Sequence, residues 1–462
     1  MSEARLRVAI VGAGLGGLAF ALSLHRFSKD VSVDIYESAA KLTEYGAGIG
    51  VWDRPRRILF DLGLAEDLRI LGYREDTGMM QFQYRKCDQQ NGIDFHNPTT
   101  GYGIANFHRA ELQRAISKHL PPSYIIHFSK KLVSYTNSAS GEVVLSFQDG
   151  SLATCDVVVG CDGVRSTVRG ALYRSFAERA ERNGDHAMAA EALSHVNATY
   201  SGSSVYRGLV STDVLLREHP GHRATTGRFM HLVFYPVSHG RIINVALFIS
   251  QPELEGKPYD GRWVVPATKQ EILENFNSWE PEVKSLLRCM DNVSLWAVNV
   301  VMDLPTFVGG RVALLGDAAH AMTPHQASGA GQAFEDGYIL ASLLTHPFVT
   351  RATVDDALKV YDAIRRPFVQ DVQRRSRDMG MLNQLNGAEC QALSEDDSAS
   401  GAISLEKLEG VANAIDDLMG WMGVGSVMSE RTRALNMLED SMERSRIPAS
   451  ALAASMFAVH KS

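Results

Sequence analysis

A glycine-rich turn near the start of the chain is the feature that most limits how the chain can fold. The apolar run Leu6–Val11 predicts a strand, and a turn containing Gly12, Gly14 and Gly17 follows it directly and opens a helical pattern. In such a turn Gly12 provides the bend, Gly14 allows close approach of a ligand, and Gly17 allows tight helix packing. The chain is therefore expected to begin with a βαβ unit whose helix N-terminus faces a pyrophosphate.

An acidic residue closes the second predicted strand of this unit. Glu37 follows the run Val31–Tyr36, about 20 residues beyond Gly17. A carboxylate at this position accepts hydrogen bonds from ribose hydroxyls and repels a ribose phosphate. The sequence thus predicts a dinucleotide site that prefers FAD or NAD to NADP.

Two later segments follow predicted buried strands in the same manner. Asp162 and Gly163 come after the run 156–160, and Asp317 comes after the run 311–315. An ionised aspartate at a strand end can hold a ribityl or ribose hydroxyl, although Asp317 could instead cap the helical turn that follows it. The three segments, in this order, indicate three walls of one flavin dinucleotide site.

Small residues dominate the stretch that surrounds Ala330. They allow a flat ring to rest on the backbone, and a helix that begins nearby offers its positive end to a reduced, anionic ring. His320 and His325 precede this stretch, but they have neither helical i, i+4 spacing nor a carboxylate partner suited to zinc. No metal site is therefore expected.

Length and composition exclude several other classes of protein. The 462 residues exceed one simple core, so two or three lobes are expected. The chain has 45% apolar residues, 21% charged residues, a net charge of -7 and no dense Lys/Arg block, which argues against nucleic acid or anionic membrane partners. The five cysteines form no CxxC pair, as suits a reducing compartment. Without a signal peptide or an apolar run of roughly 20 residues, a cytoplasmic protein that does not insert into membranes is expected.

The order of predicted elements indicates an α/β protein. A Rossmann-like FAD-binding domain is expected, with an inserted antiparallel β-sheet substrate domain and a helical C-terminal region. The predicted boundaries are 1–75, 100–175 and 290–378 for the FAD-binding domain, 76–99 and 196–289 for the substrate domain, and 379–462 for the C-terminal extension. The charged, Ala-rich stretch 176–195 is interpreted as an insertion or linker. No second Rossmann unit is visible, so a nicotinamide donor would bind only transiently.

With these motifs the chain resembles the single-component FAD-dependent aromatic hydroxylases, a group that includes salicylate hydroxylase and para-hydroxybenzoate hydroxylase. The resemblance covers residues 5 to about 375 and is carried by GAGLGG at 12–17, CDGVRS at 161–166 and GDAAHAMTPHQASGAGQAFED at 316–336. The last segment is most similar to salicylate hydroxylases and to related fungal phenol-modifying monooxygenases. The resemblance implies FAD as the cofactor and NADH or NADPH as the electron donor.

The resemblance also implies individual flavin contacts. Asp162, with the glycine after it, would serve both FAD and the nicotinamide donor, and Arg109 would reach the flavin rather than remain a surface helix charge. Gly50 and Ala330 match further FAD-contact positions. Relatives commonly follow the loop around Gly50 with a Pro-Asn pair, where this chain has the sequence VWD.

Substrate contacts are expected on the strands of the β-rich domain. Arg207 and Tyr235 resemble positions at which fungal phenol-dearomatising relatives hold a substrate phenolate. A guanidinium stabilises an oxyanion at any pH, and a tyrosine hydroxyl can orient it. His231 is a third candidate, as proton acceptor for the phenol. Each has a structural alternative. Arg207 could pair with a carboxylate, Tyr235 could pack its ring in a core, and His231 could have a purely structural role.

The implied reaction is a flavin-dependent hydroxylation. In it, NAD(P)H reduces FAD, dioxygen adds to give a C4a-hydroperoxide, and the ring carbon ortho or para to a phenolate is hydroxylated. A hydroxybenzoate such as salicylate is the expected substrate, with oxidative decarboxylation where that carbon bears a carboxylate. The alternatives are a monooxygenase of a polyketide, indole or terpenoid, a flavin-binding sensor without turnover, and an NAD-only dehydrogenase.

Overall fold

The computed structural model describes residues 4–446 except 43–47, 75–81, 99–102, 139–140, 223–231, 387–389, 391–402 and 404. Its strands are β1 (Leu6–Val11), β2 (Val31–Tyr36), β3 (Gly48–Trp52), β4 (Tyr84–Lys86), β5 (Ile93–His96), β6 (Ile104–His108), β7 (Ile125–His127), β8 (Leu132–Asn137), β9 (Val143–Phe147), β10 (Leu152–Cys155), β11 (Val157–Gly160), β12 (Thr199–Ser211), β13 (Leu232–Val237), β14 (Ile242–Ser250), β15 (Val264–Pro266), β16 (Asp291–Val300), β17 (Val308–Gly309) and β18 (Val312–Leu314). Its helices are α1 (Leu15–Phe27), α2 (Asp53–Asp61), α3 (Ala65–Ile70), α4 (Arg109–Lys118), α5 (Thr167–Arg182), α6 (His186–Ser194), α7 (Thr212–Glu218), α8 (Lys269–Asn275), α9 (Pro281–Arg288), α10 (Asp317–His320), α11 (Gly329–Leu344), α12 (Val354–Asn383), α13 (Leu405–Met419) and α14 (Val427–Arg446).

A mainly parallel sheet forms the first layer of the fold. Its described strands follow the order β17-β18-β11-β1-β2-β7, and only β17 is antiparallel to its neighbour within that set. The central strands β1 and β11 consist almost wholly of buried apolar residues, as expected where helices cover both faces of a parallel sheet. The predicted Rossmann-like core is confirmed.

A second, antiparallel sheet lies in the inserted part of the chain. Its described strands follow the order β13-β14-β12-β16-β15. One face, which includes Tyr206, Phe234 and Val245, packs against α8 and α9 in a separate hydrophobic cluster. The predicted antiparallel sheet is therefore present. It also includes β16, which the predicted boundary between residues 289 and 290 assigned to the FAD-binding domain.

The stretch predicted to be a linker is helical and packed, so that interpretation is wrong. It forms most of α5 and all of α6. Ala177 and Ala180 of α5, and Ala189 and Ala192 of α6, are buried in the main hydrophobic core. Small side chains allow close helix packing without the large apolar residues that would have signalled a core, and the exposed faces carry the charges.

The C-terminal helices pack against both layers. Ala434 and Leu438 of α14 belong to the main core. Val411 and Ile415 of α13 form another cluster with Trp52 at the end of β3. The C-terminal region is therefore an integral part of the molecule. Within the described residues, no helix has the length and apolar character that crossing a membrane would require.

A buried ion-pair network links α14 to the helix that follows the last flavin motif. The fully buried Arg365 of α12 donates to Glu335 at 3.1 Å and to Asp336 at 2.9 Å, both on α11. The same guanidinium donates to Glu430 of α14 at 3.0 Å. Breaking such a pair leaves an uncompensated buried charge, so this network fixes the position of α11.

Candidate active site

The three predicted flavin motifs begin at the same edge of the parallel sheet. Val11 of β1 is in register with Gly160 of β11, and Gly160 is in register with Leu314 of β18. Because these strands are parallel, the residues that follow them project from one edge, where ligands of open α/β sheets bind. We call the segments 12–17, 161–163 and 316–317 together the cofactor edge.

The glycine turn of the cofactor edge has an open side and a closed side. Gly12 has φ +107, and a Cβ added to it would lie 2.4 Å from the Cys161 carbonyl oxygen. A Cβ added to Gly17 would lie 2.2 Å from the Gly12 carbonyl oxygen. A Cβ on Gly14 would meet no atom within 4 Å. Gly12 and Gly17 are therefore required by the protein's own packing, whereas Gly14 leaves space at the start of α1.

Glu37 contacts the turn from the end of β2. Its carboxylate accepts hydrogen bonds from the backbone N–H of Ala13 at 2.9 Å and of Ala39 at 2.8 Å. The Ser38 hydroxyl also donates to Oε1 at 3.1 Å, so Oε2 is the oxygen with a lone pair left for a ribose hydroxyl. Glu37 thus holds the turn and is placed at the position that the sequence predicted.

Asp162 is engaged within its own segment. Its carboxylate accepts from the Ser166 hydroxyl at 2.5 Å, the Thr167 N–H at 2.6 Å and the Val168 N–H at 3.1 Å. Burial raises the pKa of this carboxyl, and the hydrogen bonds oppose that rise. The side chain caps α5, and the open position at this part of the edge belongs to Gly163, which has φ +77 and no atom within 4 Å of an added Cβ.

Asp317 occupies the third part of the cofactor edge. It is the exposed first residue of α10, and a Cβ added to Gly329 would lie 4.0 Å from its Oδ1 atom. Among the residues that the structure describes, no donor contacts this carboxylate, unlike that of Asp162. Ala330 is the second residue of α11 and is half-buried beside it. The Asp317 carboxylate is therefore available to a ligand hydroxyl.

His320 is held inside the protein rather than presented to a ligand. Its Nε2 atom lies 2.6 Å from Asp336 Oδ2, and both side chains are fully buried. The same carboxylate oxygen accepts from the Gly316 N–H at 3.1 Å. Asp336 therefore anchors the start and the end of α10 and so positions the turn that carries Asp317.

A short two-stranded ladder carries two further predicted contacts. Gly50 of β3 pairs with Asn106 of β6, and an added Cβ on Gly50 would lie 2.4 Å from Ile104 Cδ1 and 3.3 Å from Ala327 Cβ. Arg109 is exposed at the first position of α4, directly after β6. The ladder thus places Gly50 on one strand and Arg109 directly after the other.

The antiparallel sheet, which we call the substrate sheet, turns the face that does not pack on α8 and α9 toward the strands β3 and β6. Arg207 and Tyr235 lie on that face, on strands separated by β14, which corresponds to about 10 Å between backbones. Asn244, between them, accepts from the Gly48 N–H at 3.0 Å through its Oδ1 atom. The Tyr235 ring covers Gly48, whose added Cβ would lie 2.5 Å from it.

Arg207 lacks the carboxylate partner that the alternative interpretation required. Within the described parts of the chain, its guanidinium donates no hydrogen bond, and it lies 5.4 Å from the centre of the Trp296 ring. Burial lowers the pKa of this guanidinium, Tyr235 opposes the shift, and the positive charge of Arg109 reinforces it. The three side chains therefore influence one another electrostatically. His231 lies outside the described residues.

A small, mostly apolar cavity adjoins this region. Its walls come from β3, β6, β13, the segment 324–327 and the C-terminal part of the chain, and they include both Gly50 and Tyr235. The structure brings Tyr235 to the cavity, and Arg207 lies two strands away on the same sheet face. The sequence analysis did not predict Trp52, Met379 and Met419 as wall residues. A signal for Trp52 was present, because this chain has VWD where relatives commonly have a Pro-Asn pair.

The cofactor edge fits a flavin dinucleotide. Gly14 and Gly163 leave uncovered backbone at the ends of parallel strands, and Asp317 offers a carboxylate that no described residue contacts as a donor. Glu37 stands where a ribose would lie. A parallel sheet with such an edge, beside an antiparallel sheet and a cavity, defines an FAD-binding oxidoreductase.

Comparison with known proteins gives the family. Residues 5–376 match the family model of the FAD binding domain. The chain is 32% identical over 474 residues to the FAD-dependent monooxygenase str9 of Strobilurus tenacellus, covering 95% of this chain and 99% of that relative. It is 34% identical over 409 residues to a salicylate hydroxylase of Pseudomonas putida, covering 84% and 90%. A solved salicylate hydroxylase substrate complex superimposes with a TM-score of 0.76 at 30% identity, covering 94% of this chain and 98% of that one.

The chain belongs to the FAD-dependent aromatic hydroxylases of the salicylate hydroxylase type. The predictions of the family, the fold class and FAD as cofactor are confirmed. The contacts assigned to individual residues stay predictions.

Proposed function

We propose that the protein hydroxylates a phenol with NAD(P)H and dioxygen, and that Arg207 and Tyr235 hold the substrate as its phenolate. The observation that carries this proposal is the position of Arg207, half-buried and donating no hydrogen bond within the described residues, on the sheet face that also bears Tyr235 and contacts Gly48 at the start of β3. A buried guanidinium without a counter-ion favours an anionic ligand. A salicylate-like acid would place its phenolate in this region.

The side chains of the protein position the substrate and exclude water. The chemistry that FAD supplies when bound is acceptance of a hydride and activation of dioxygen. Arg207 would stabilise the phenolate, which directs oxygen to the ortho or para carbon, and the Tyr235 hydroxyl would orient it. Asn244 and the Tyr235 ring contact Gly48 and so join the antiparallel sheet to the start of β3. The apolar cavity walls keep water from the reaction.

A polyketide-derived phenol is a second candidate substrate. The match to the Strobilurus monooxygenase extends over 95% of this chain, whereas the match to the Pseudomonas enzyme covers 84%. The longer match takes in much of the C-terminal region, which borders the cavity. This favours a fungal-type phenol as the alternative to a simple hydroxybenzoate.

The test combines a substrate panel with one variant. The purified protein should show flavin absorbance, and hydroxybenzoates or larger phenols should stimulate NAD(P)H oxidation with formation of hydroxylated product. Arg207→Ala should lower kcat/KM for hydroxylation by about 100-fold while FAD stays bound, because loss of an oxyanion-binding group has an effect of this size. Arg217→Ala, on the same domain and 71% exposed, is the matched control. Unchanged hydroxylation by Arg207→Ala would refute the assignment.

A further inference from the structure

The C-terminal part of the chain supplies one wall of the cavity. Met379, near the end of α12, and Met419, at the end of α13, line the same cavity as Tyr235. Both methionines are buried in the same hydrophobic cluster as Trp52. The space between these walls is small, so it suits a ring substituent better than a whole substrate. A substituent that fills the cavity must therefore touch the C-terminal region.

Hydrogen bonds of Gln326 connect this wall to the segment that leads into α11. Gln326, which is 3% exposed, donates from Nε2 to the Leu418 carbonyl at 3.0 Å and accepts from Trp421 Nε1 at 3.1 Å. Its own carbonyl accepts from Trp52 Nε1 at 2.8 Å. The wall is thus tied both to the residue before Ala327 and to the end of β3. Its position relative to the cofactor edge is fixed by hydrogen bonds as well as by packing.

The walls are aromatic and thioether surfaces. Trp52 and Phe82 lie 5.6 Å apart between ring centres, and the buried Tyr84 hydroxyl donates to the Met419 sulfur at 3.7 Å. Thioethers adapt to the shape of an apolar ligand and make favourable contacts with rings. The Tyr84 bond fixes the Met419 side chain against the wall, so its volume limits what the cavity accepts.

The described cavity walls carry no charged side chain near pH 7, as suits their apolar surface. Among the described wall residues, no side chain is an Asp, Glu, Lys or Arg. His325 is also neutral near pH 7, because burial lowers its pKa to about 4. A carboxylate placed against these walls would lose its hydration without gaining a cationic partner there. An apolar group would instead replace water at no such cost.

We propose that Met419 and Met379 select a phenol that carries an uncharged apolar ring substituent, and that this substituent lies against the C-terminal wall. This inference rests on the proposed phenol hydroxylation. It extends that function by naming the substrate class and by assigning substrate selection to the C-terminal region. The phenolate end of the substrate stays with Arg207 and Tyr235, so a single molecule would span both ends of the site.

The experiment compares the substrate selectivity of the wild type with that of variants at Met419. Phenols that carry hydrogen, methyl, butyl or carboxylate at one ring position are compared by KM, kcat and hydroxylated product. In the wild type, kcat/KM should rise with alkyl length, and the carboxylate should be the poorer substrate. Met419→Trp should lower kcat/KM for the butylphenol by at least about tenfold and change that for unsubstituted phenol by less than about twofold. Met419→Leu should keep the wild-type order, because it conserves volume.

The controls separate this inference from the function on which it rests. Met437→Trp, on α14 and 37% exposed, should leave the whole panel unchanged. If Met419→Trp fails to retain flavin absorbance, Met419→Ala takes its place and should improve kcat/KM for substituents bulkier than butyl. Hydroxylation of phenols with the carboxylate preferred, or a uniform loss across the panel, would overturn the inference and leave the proposed function intact. Absence of hydroxylation with every phenol would overturn both.

Discussion

The cofactor edge and the cavity are assembled in different ways. Each part of the cofactor edge is a few consecutive residues that follow one buried strand, and Val11, Gly160 and Leu314 bring the three parts into register. The cavity instead joins Trp52, Tyr235 and Met419, which belong to three distant parts of the chain. The segments predicted to bind the cofactor are thus encoded locally, whereas the proposed substrate cavity exists only through tertiary packing.

The largest expected effect separates two glycines of the cofactor edge. Gly17→Ala should prevent stable folding or cost about 3 kcal/mol or more, because its Cβ would lie 2.2 Å from the Gly12 carbonyl oxygen. Gly14→Ala should fold normally, because nothing lies within 4 Å of the added carbon, yet it should bind FAD more weakly. Urea unfolding and FAD titration of the two variants measure these effects.

The Gly14→Ala and Gly17→Ala variants also test the geometry of the glycine turn. Gly410→Ala, in α13 and with no atom within 4 Å of its added Cβ, is the control: it should leave FAD binding unchanged and raise the free energy of unfolding by up to about 1 kcal/mol, as alanine does for glycine inside a helix. If Gly14→Ala bound FAD as tightly as the wild type, the space beside Gly14 would not be the cofactor site. Equal stability of the Gly17→Ala variant and the wild type would contradict the close packing of the turn.

A smaller effect is expected at the third part of the edge. Asp317→Ala should weaken FAD binding by about 2 to 3 kcal/mol, the value of a hydrogen bond to a charged group, because this exposed carboxylate has no partner in the described structure. The free energy of unfolding of the apoprotein should stay nearly constant. Fluorescence titration of FAD gives the first quantity and urea unfolding the second, with the exposed Asp440→Ala as control. Full FAD affinity in Asp317→Ala would count against its assigned role.

Local patterns explain why so much of the cofactor edge could be predicted from the sequence. Gly12, Gly17, Glu37 and Asp317 each stand at a fixed distance from a buried strand, and a parallel sheet places such residues at one edge. Asp162 shows the limit of this reasoning. Its position was predicted, but the Ser-Thr pair that follows it also marks a helix start, and its carboxylate caps α5.

The rest of the structure depends on contacts that short patterns do not reveal. Strand β16 lies beyond the predicted domain boundary, because pairing with β12 joins residues almost a hundred positions apart. The buried alanines of α5 and α6 look like a solvated stretch until a partner surface is known. Met419 reaches the cavity only through the packing of α13, which no spacing in the sequence indicates.

The smallest expected effect is a pH dependence of the free energy of unfolding that His325 causes at the cavity wall. Burial lowers the pKa of His325 to about 4, against about 6.5 in an unfolded chain. Between these values the unfolded chain binds the additional proton, so the free energy of unfolding rises with pH and the contribution is fully present above about pH 6.5. Acidification from pH 7 to pH 5 should therefore cost about 2 kcal/mol through this residue.

His325→Asn removes the titrating group and should reduce that difference, as measured by urea unfolding at pH 7 and pH 5. His186→Asn, whose wild-type side chain is 79% exposed, is the control and should keep the wild-type difference. An unchanged difference in His325→Asn would mean that the ring is hydrated in solution, because only a dry environment lowers the pKa of a histidine without a nearby cation. The wall beside Gln326 would then admit water, and the description of the cavity walls as a dry apolar surface would fail at this point.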